Sequence, residues 1–359
     1  MILLLSFDVQ RRGGIERLSL QVQQSLKRQG QQVVLLTPRP LTAVPKLGRL
    51  LGRFRFVLAL AWYLPQASQV LCMHALLLRP LGWLRSLRRR QQSLHCWIHG
   101  IEVWGSALTA VKGDLLRCQQ LIASSRFTRD RVLEQTGAWP AIHVVHPMAD
   151  LIAPFQPLQA LPEGLRLLTV ARMDSREQYK GHDLILEALR QLKERGCLNP
   201  KLQWRVVGAG DDRQRLESIA HDWSLSPWVH FLGNLPDPVL EQELRTCSLL
   251  VMPSSYAVRT DGRACGEGFG IVYLEAAQAG RASIAGQRGG HSDLIEDGTN
   301  GWLIEPCPTA LADRLEWCMT HPEELSRMGA NAHRRAVLEF SASSFDQALQ
   351  LAFNTALTA

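Results

Sequence analysis

Cysteine is sparse and scattered in this 359-residue chain: eight stand singly at 72, 96, 118, 197, 247, 265, 307 and 318, with no C-x-x-C pair. That spacing excludes a disulfide framework and a clustered thiolate metal site, and it fits core thiols in a reducing compartment. Long hydrophobic runs are missing as well. The longest helix-compatible one, Phe56 to Leu64, falls well short of the ~20 residues that span a bilayer. The apolar run Ile2 to Leu5 meets Asp8 before Arg11 and Arg12, so it reads as a buried first strand and not as a signal peptide. There is no sequence repeat, no Walker A loop, no G-x-S-x-G elbow and no H-E-x-x-H helix, which argues against an ATPase, a serine hydrolase and a zinc enzyme. Gly208-Ala209-Gly210 begins a dinucleotide fingerprint, but Arg213 stands where its third glycine belongs, and nicotinamide binding is disfavoured.

What is present is a globular composition, 46% hydrophobic and 20% charged, at a length that suits two domains. The net charge of +7 is unevenly spread: residues 1–155 hold 20 Lys+Arg against 7 Asp+Glu, and the remainder 20 against 26. The basic half should face something anionic. Between Lys46 and Arg90, apolar residues (Leu50, Phe54, Phe56, Trp62, Leu76, Leu81, Trp83, Leu87) alternate with Lys46, Arg49, Arg53, Arg55, Arg85, Arg88, Arg89 and Arg90. Basic amphipathic helices of this kind lie on anionic membrane surfaces; the same pattern also describes surface helices with core-facing leucines. No basic recognition motif interleaved with aromatics is found, so nucleic acid is not an expected partner.

Strand-like runs at Ile2 to Phe7, Gln32 to Thr37, Gln69 to Met73, Leu94 to Ile98, Leu121 to Ser124 and Ile142 to Val145 alternate with helical spacing, as at Ile15, Leu18, Val22 and Leu26. Short, continuously apolar strands belong in parallel sheets covered on both faces. After a Pro-rich shift at residues 150 to 164, which reads as a linker, the alternation restarts at Leu165 to Ala171, Leu202 to Gly208, Trp228 to Leu232, Ser248 to Met252 and Ala282 to Ala285. Helical sequence from Thr309 onward, broken at Pro322 and near Ser341, closes the chain. The expected fold class is therefore α/β, two doubly wound Rossmann-like domains at 1–155 and 156–340, with a last helix at about 341–359 packing back on the first. Ligands are expected at the carboxyl ends of the strands and in a cleft between domains.

Residues 266 to 278, Gly-Glu-Gly-Phe-Gly-Ile-Val-Tyr-Leu-Glu-Ala-Ala-Gln, carry the most chemistry. A helix beginning near Glu267 places Glu275 about 80° round the axis, so both carboxylates face one groove, while the amides of Gly268, Phe269, Gly270 and Ile271 form an anion-binding first turn. Arg172 and Lys180-Gly181 end the first strand of the second domain and open its helix, where two cations can hold a diphosphate; a solvated charged loop would look the same. Gly13-Gly14 after the first strand suits a phosphate loop or a tight turn. His99 ends a strand and points toward the expected cleft; the alternative is a structural imidazole.

In this order the motifs resemble the retaining glycosyltransferases of the GT-B fold, family 4 (glycosyl transferases group 1), through Glu267-x7-Glu275, Arg172 with Lys180-Gly181, Ser125-x-Phe127-Thr128 and, more weakly, Gly13-Gly14 and His99-Gly100. The resemblance implies a nucleotide-diphosphate sugar as donor, no metal and no cofactor, and retention of anomeric configuration. It implies that Arg172 and Lys180 bind the diphosphate with Gly13 and Gly14 approaching it. Glu275 would hold the ribose, Glu267 and the amides of Gly268 to Ile271 the sugar and phosphate, Leu232 the base, and His99 would sit beside the reacting sugar. The acceptor is expected to be a hydroxyl of a sugar, of a lipid-linked molecule or of a cell-envelope glycan intermediate, and the location cytoplasmic, peripheral on the inner membrane face. A nucleotide-sugar epimerase or phosphorylase, or a non-catalytic nucleotide-sugar-binding protein, shares the architecture. The chain departs from the family at Pro147-Met148-Ala149-Asp150, where relatives carry Pro-Asn-Gly-Val-Asp, so no role is assigned to that segment.

Overall fold

Six short apolar strands near the N-terminus, β1 (Ile2–Leu5), β2 (Val33–Leu36), β3 (Gln69–Cys72), β4 (Ser93–Ile98), β5 (Gln120–Ala123) and β6 (Ala141–Val144), form one parallel sheet in the order β2-β1-β3-β4-β5-β6. The computed structural model describes residues 1–7, 9, 13–38, 45–89, 91–135, 137–148 and 164–354, without the side chains of 45–47, 49 and 354. The expected linker, except Gly164, and Ala149-Asp150 lie outside these. The chain divides into one unit of Met1–Met148, Thr260–Ala264 and Ala342–Ala359, and a second of Ala149–Arg259 and Cys265–Ser341.

In the first unit the buried strands pack against the helix Gly14–Arg28 through Leu18, Val22 and Leu26, the inward residues of its 3.6-residue period. Phe345, Leu349, Ala352 and Phe353 of the helix Ala342–Asn354 enter the same core. Arg28 also forms a two-pronged ion pair with Asp346 at 2.7 and 2.9 Å.

The second unit holds β7 (Arg166–Val170), β8 (Gln203–Val207), β9 (Val229–Gly233), β10 (Leu249–Met252), β13 (Ser283–Gly286) and β14 (Gly301–Ile304) in the order β14-β13-β10-β7-β8-β9, again all parallel. Two-residue strands β11 (Ala257–Val258) and β12 (Ala264–Cys265) pair separately. Strand β14 was not expected from the sequence, because its four residues start on a glycine just after a turn. Polar side chains at the centre of the sheet, on β7 and β8, are satisfied internally: the buried Trp204 indole donates to Thr169 Oγ1 at 2.9 Å, and the Thr169 hydroxyl donates to the Val251 carbonyl at 2.6 Å. Strand order reverses between β7 and β10, and a doubly wound sheet binds its ligand at the carboxyl ends beside such a reversal. All eight cysteines are free thiols, six of them buried. No helix among the described residues is long and apolar enough to cross a membrane.

Leu349 is fully buried in the first unit's core. Leu349→Ala is expected to destabilise that unit by about 3 kcal/mol, read from urea unfolding; a change under about 1 kcal/mol would contradict the docking of the last helix.

Candidate active site

Lys180 and Glu267 form the centre of the site at the carboxyl ends of β7 and β10. Lys180 Nζ lies 2.5 Å from Glu267 Oε1, both side chains being largely buried. Lys180 is placed by Gly181, whose φ of +88° and 2.9 Å clearance from the Pro253 ring, measured to the position a Cβ would take, admit glycine alone without strain. Glu267 also accepts from the Ser254 hydroxyl at 3.2 Å, and its own carbonyl accepts from Gly290 N at 2.8 Å. Burial works against the Lys180 ammonium, but the charge and hydrogen bond of Glu267, with Tyr179 and Glu177, together outweigh it and raise the pKa. Burial likewise works against the Glu267 carboxylate, while the charge and hydrogen bond of Lys180 and the neighbouring His291 and Ser254 pull its pKa down. Each group holds the other ionised.

The helix expected from Glu267 starts instead at Ile271, with Gly270 as its N-cap at φ +83°. Glu267, Gly268 and Phe269 therefore precede the helix, and the 80° relation between Glu267 and Glu275 does not apply. The physical reason is glycine: Gly266 at φ +151° and Gly270 at φ +83° hold the segment out of helical dihedrals. Of the four amides assigned to a first turn, that of Ile271 is in it. Glu275 is buried within the helix. Leu232 lies in β9, half-buried against the cluster that contains Phe269 and Tyr273.

Arg172 is largely exposed and pairs with Glu177 on the loop that leads to Lys180. That loop is tied down: Ser175 donates through its amide and hydroxyl to Asp211 at 2.8 and 2.9 Å, and Arg176 grips Asp174 with two nitrogens at 2.8 and 2.9 Å. Gly208 and Gly210 have a packing role. A Cβ on Gly208 would come within 2.0 Å of the Ala171 carbonyl oxygen, and one on Gly210 within 1.8 Å of that of Met173, so these glycines let the two strand ends cross backbone to backbone.

Sequence reasoning missed the turn after β13. Gly290 approaches Gly268 so closely that a Cβ would meet its carbonyl oxygen at 1.8 Å, and Gly286 stands likewise 2.1 Å from the Ser254 carbonyl oxygen. His291, fully buried, donates from Nε2 to the Gly286 carbonyl at 2.5 Å, and its ring lies 5.1 Å from that of Tyr273. The phenol of Tyr273 donates to the Met252 carbonyl at the end of β10, 2.5 Å away. The signal was available: Gly289-Gly290 follows a strand as Gly13-Gly14 does.

The remaining candidates lie in the first unit. Gly13 caps the helix Gly14–Arg28 in an extended conformation, and the carboxylate of Glu16 folds back against it, 2.2 Å from where a Cβ would sit. His99 Nε2 lies 2.7 Å from the Met73 carbonyl and Nδ1 3.0 Å from Ser124 Oγ. A carbonyl can only accept, so Nε2 carries the proton and Nδ1 accepts from Ser124, whose oxygen in turn accepts from the Trp97 indole at 2.9 Å. The imidazole is thus locked in one tautomer. Ser125 caps the helix Arg126–Leu133 by accepting from Thr128 N at 3.1 Å, and Thr128 Oγ1 donates to the His99 carbonyl at 3.1 Å.

Residues 158–335 match the family described as glycosyl transferases group 1. Over 271 residues, 70% of its length, the chain is 28% identical to the GDP-mannose-dependent alpha-(1-6)-phosphatidylinositol monomannoside mannosyltransferase of Mycolicibacterium smegmatis, covering 67% of that protein. It spans 40% to 67% of the length of the curated relatives it matches first. Among solved structures it resembles sucrose-phosphate synthase from Thermosynechococcus elongatus, with a TM-score of 0.82 at 19% identity over 99% of both chains. It also resembles Anabaena Alr3699/HepE in complex with UDP and glucose, with a TM-score of 0.76 at 18% identity over 99% of both chains. At these identities the likeness shows the fold, which is GT-B.

Lys180→Met leaves a buried carboxylate without its cation and is expected to cost about 3–5 kcal/mol of stability at neutral pH, the double variant Lys180→Met/Glu267→Gln losing less. Glu267, with its pKa depressed below the ordinary 4.5, contributes stability above that value and loses it as pH falls through its folded pKa. Lys180, raised above 10.5, contributes below that value and loses it as pH rises through its folded pKa. The stability gap between wild type and the double variant should therefore be flat across neutral pH and shift at both extremes; a gap that titrates near neutrality would refute the pairing.

Proposed function

We infer from its membership of the glycosyl transferases group 1, carried by residues 158–335, that this chain transfers a sugar from a nucleoside-diphosphate sugar to a hydroxyl acceptor, with retention and without a metal. The observation that carries this reading is the buried Lys180–Glu267 pair beside two glycine turns at the reversal of strand order. Cleaving a sugar–phosphate bond leaves negative charge on the diphosphate and positive charge on the ring, and catalysis requires donors fixed in advance where the negative charge grows. Lys180 supplies a cation whose position is set before any ligand arrives. Arg172, on the solvent side of the same loop, supplies a second that exchanges Glu177 for a phosphate oxygen.

In this reading Glu267 accepts hydrogen bonds from sugar hydroxyls and the amides of Gly268 to Ile271 meet the phosphate. Glu275 binds the ribose and Leu232 lies against the base. His99, whose ring nitrogens are engaged with Met73 and Ser124, acts by shape and carbonyl position, not by taking a proton. A phosphate oxygen of the donor takes the acceptor proton, so that no carboxylate is required as base. The relative named for GDP-mannose and phosphatidylinositol monomannoside supports a nucleotide-sugar donor and a sugar or lipid-linked acceptor. Unpaired thiols suit the reducing cytoplasm.

Thermal-shift screening of nucleoside diphosphates and their sugars should find one that raises the melting temperature, since at a hundredfold excess over Kd a native-state ligand adds about 2.7 kcal/mol. With that donor, nucleoside diphosphate should be released only when acceptor is present. Arg172→Ala should slow the transfer by about tenfold or more with an unchanged melting temperature in the absence of ligand. Undiminished turnover in that variant would remove the diphosphate assignment.

A further inference from the structure

The helix Pro45–Tyr63 of the first unit shows two opposite faces. Phe56 and Leu60 are buried, whereas Leu50 (65% exposed), Phe54 (63%), Leu58 (55%) and Trp62 (71%) stand in solvent. These four recur every fourth residue. At about 100° per residue they form a band about 120° wide and about 18 Å long, with Leu51 inside it. Arg53 and Arg55, both exposed, fall about 100° to either side of Phe54 and so border the band on both edges. Of the apolar residues named from the sequence, Phe56 and Leu81 prove to be core; Leu50, Phe54, Trp62, Leu76, Trp83 and Leu87 are exposed. The side chains of Lys46 and Arg49, and Arg90 altogether, lie outside the described residues.

The charge of the sequence on either side of this helix has one sign. From Arg17 to Ile101 the sequence contains no Asp or Glu, against 13 Lys and Arg. The basic segment Arg85–Arg89 is anchored beside the helix end. Arg88 bonds to the side chain and carbonyl of Gln92 at 3.2 and 3.1 Å, and the buried Gln92 amide donates to the carbonyls of Leu64 and Ala67, just past Trp62, at 2.7 and 2.9 Å. An apolar strip edged by guanidinium groups, with an indole at its end and no carboxylate near it in sequence, matches the interfacial zone of an anionic bilayer: acyl chains for the strip, headgroup phosphates for the arginines, and the boundary for the indole. A second copy of this equally basic face would repel it.

We propose that the helix Pro45–Tyr63 is an interfacial anchor that seats the first unit on an anionic lipid surface, with Phe54 and Trp62 inserted and Arg53 and Arg55 on the headgroups. The proposal is independent of the sugar-transfer reading, since it involves neither nucleotide nor acceptor.

The test is flotation of the full chain, without nucleotide, with vesicles of phosphatidylcholine alone or mixed with phosphatidylglycerol. The wild type should float with the mixed vesicles at low salt and largely not with phosphatidylcholine. Phe54→Ser/Trp62→Ser should reduce the bound fraction about tenfold, and Arg53→Gln/Arg55→Gln should reduce it and flatten its salt dependence. Because all four side chains are exposed, each variant should keep the wild-type circular dichroism and the thermal shift with donor. Absence of flotation at low salt, undiminished flotation of Phe54→Ser/Trp62→Ser, or a lipid-free dimer that this variant converts to monomer would each overturn it, the last by assigning the face to a second copy. Loss of flotation with an intact thermal shift leaves the donor site standing, and the converse leaves the anchor standing.

Discussion

A lysine and a glutamate buried against each other at the ends of two adjacent strands set the terms for the second unit. Removing either charge from water costs several kcal/mol, and that cost is offset only if the partner sits within hydrogen-bond distance and the remaining lone pairs are met. Ser254 meets one of them, and His291 stands close enough to favour the carboxylate. The arrangement tolerates little displacement, which makes it a poor device for stability and a good one for holding a cation ready. Under the proposed function, a diphosphate arriving at such a site would find positive charge that need not be gathered from a flexible lysine in solvent.

The glycines around the pair follow from the same constraint. Backbone must approach backbone to bring three strand ends and two turns within reach of one carboxylate, and a Cβ at Gly286 or Gly290 would enter the space of a carbonyl oxygen. Gly181 and Gly270 serve differently: each turns the chain through a left-handed conformation immediately before a helix, one placing Lys180 and the other releasing Glu267 from the helix that follows. In the first unit the corresponding rigidity comes from a relay of hydrogen bonds, Trp97 to Ser124 to His99 to Met73, which fixes an imidazole at the end of β4 with its tautomer decided by a carbonyl.

The two units differ in what they present outward. The second pairs many of its surface charges along helices, as in Arg190 with Glu187 and Glu194. The first keeps a long stretch free of acids and leaves large apolar side chains in solvent on one helix, an arrangement that lowers solubility unless something anionic and apolar covers it. On the two proposals made above, a unit that binds nucleotide and a unit that seats on lipid would suit a reaction whose donor is dissolved and whose acceptor is not.

Much of this was legible in the sequence. Continuous apolar runs of four to six residues, helical spacing between them and Pro322 as a break were enough to locate eleven of the strands and the closing helices within a residue or two, because burial on both sheet faces leaves a local signature that needs no partner to be read. The residue types of the site were legible for the same reason: Gly-Glu-Gly-Phe-Gly and Lys-Gly are local patterns. What tertiary structure decided is how they meet. That Glu267 faces Lys180 across 87 positions, that its helix begins at Ile271, that Gly289-Gly290 closes the same site and that Phe56 turns inward while Phe54 turns outward all depend on contacts between distant segments. Residue type and spacing determine what each segment can form by itself; which charge is neutralised, and which face of a helix finds cover, is settled only when strand order brings remote carbonyls and carboxylates together.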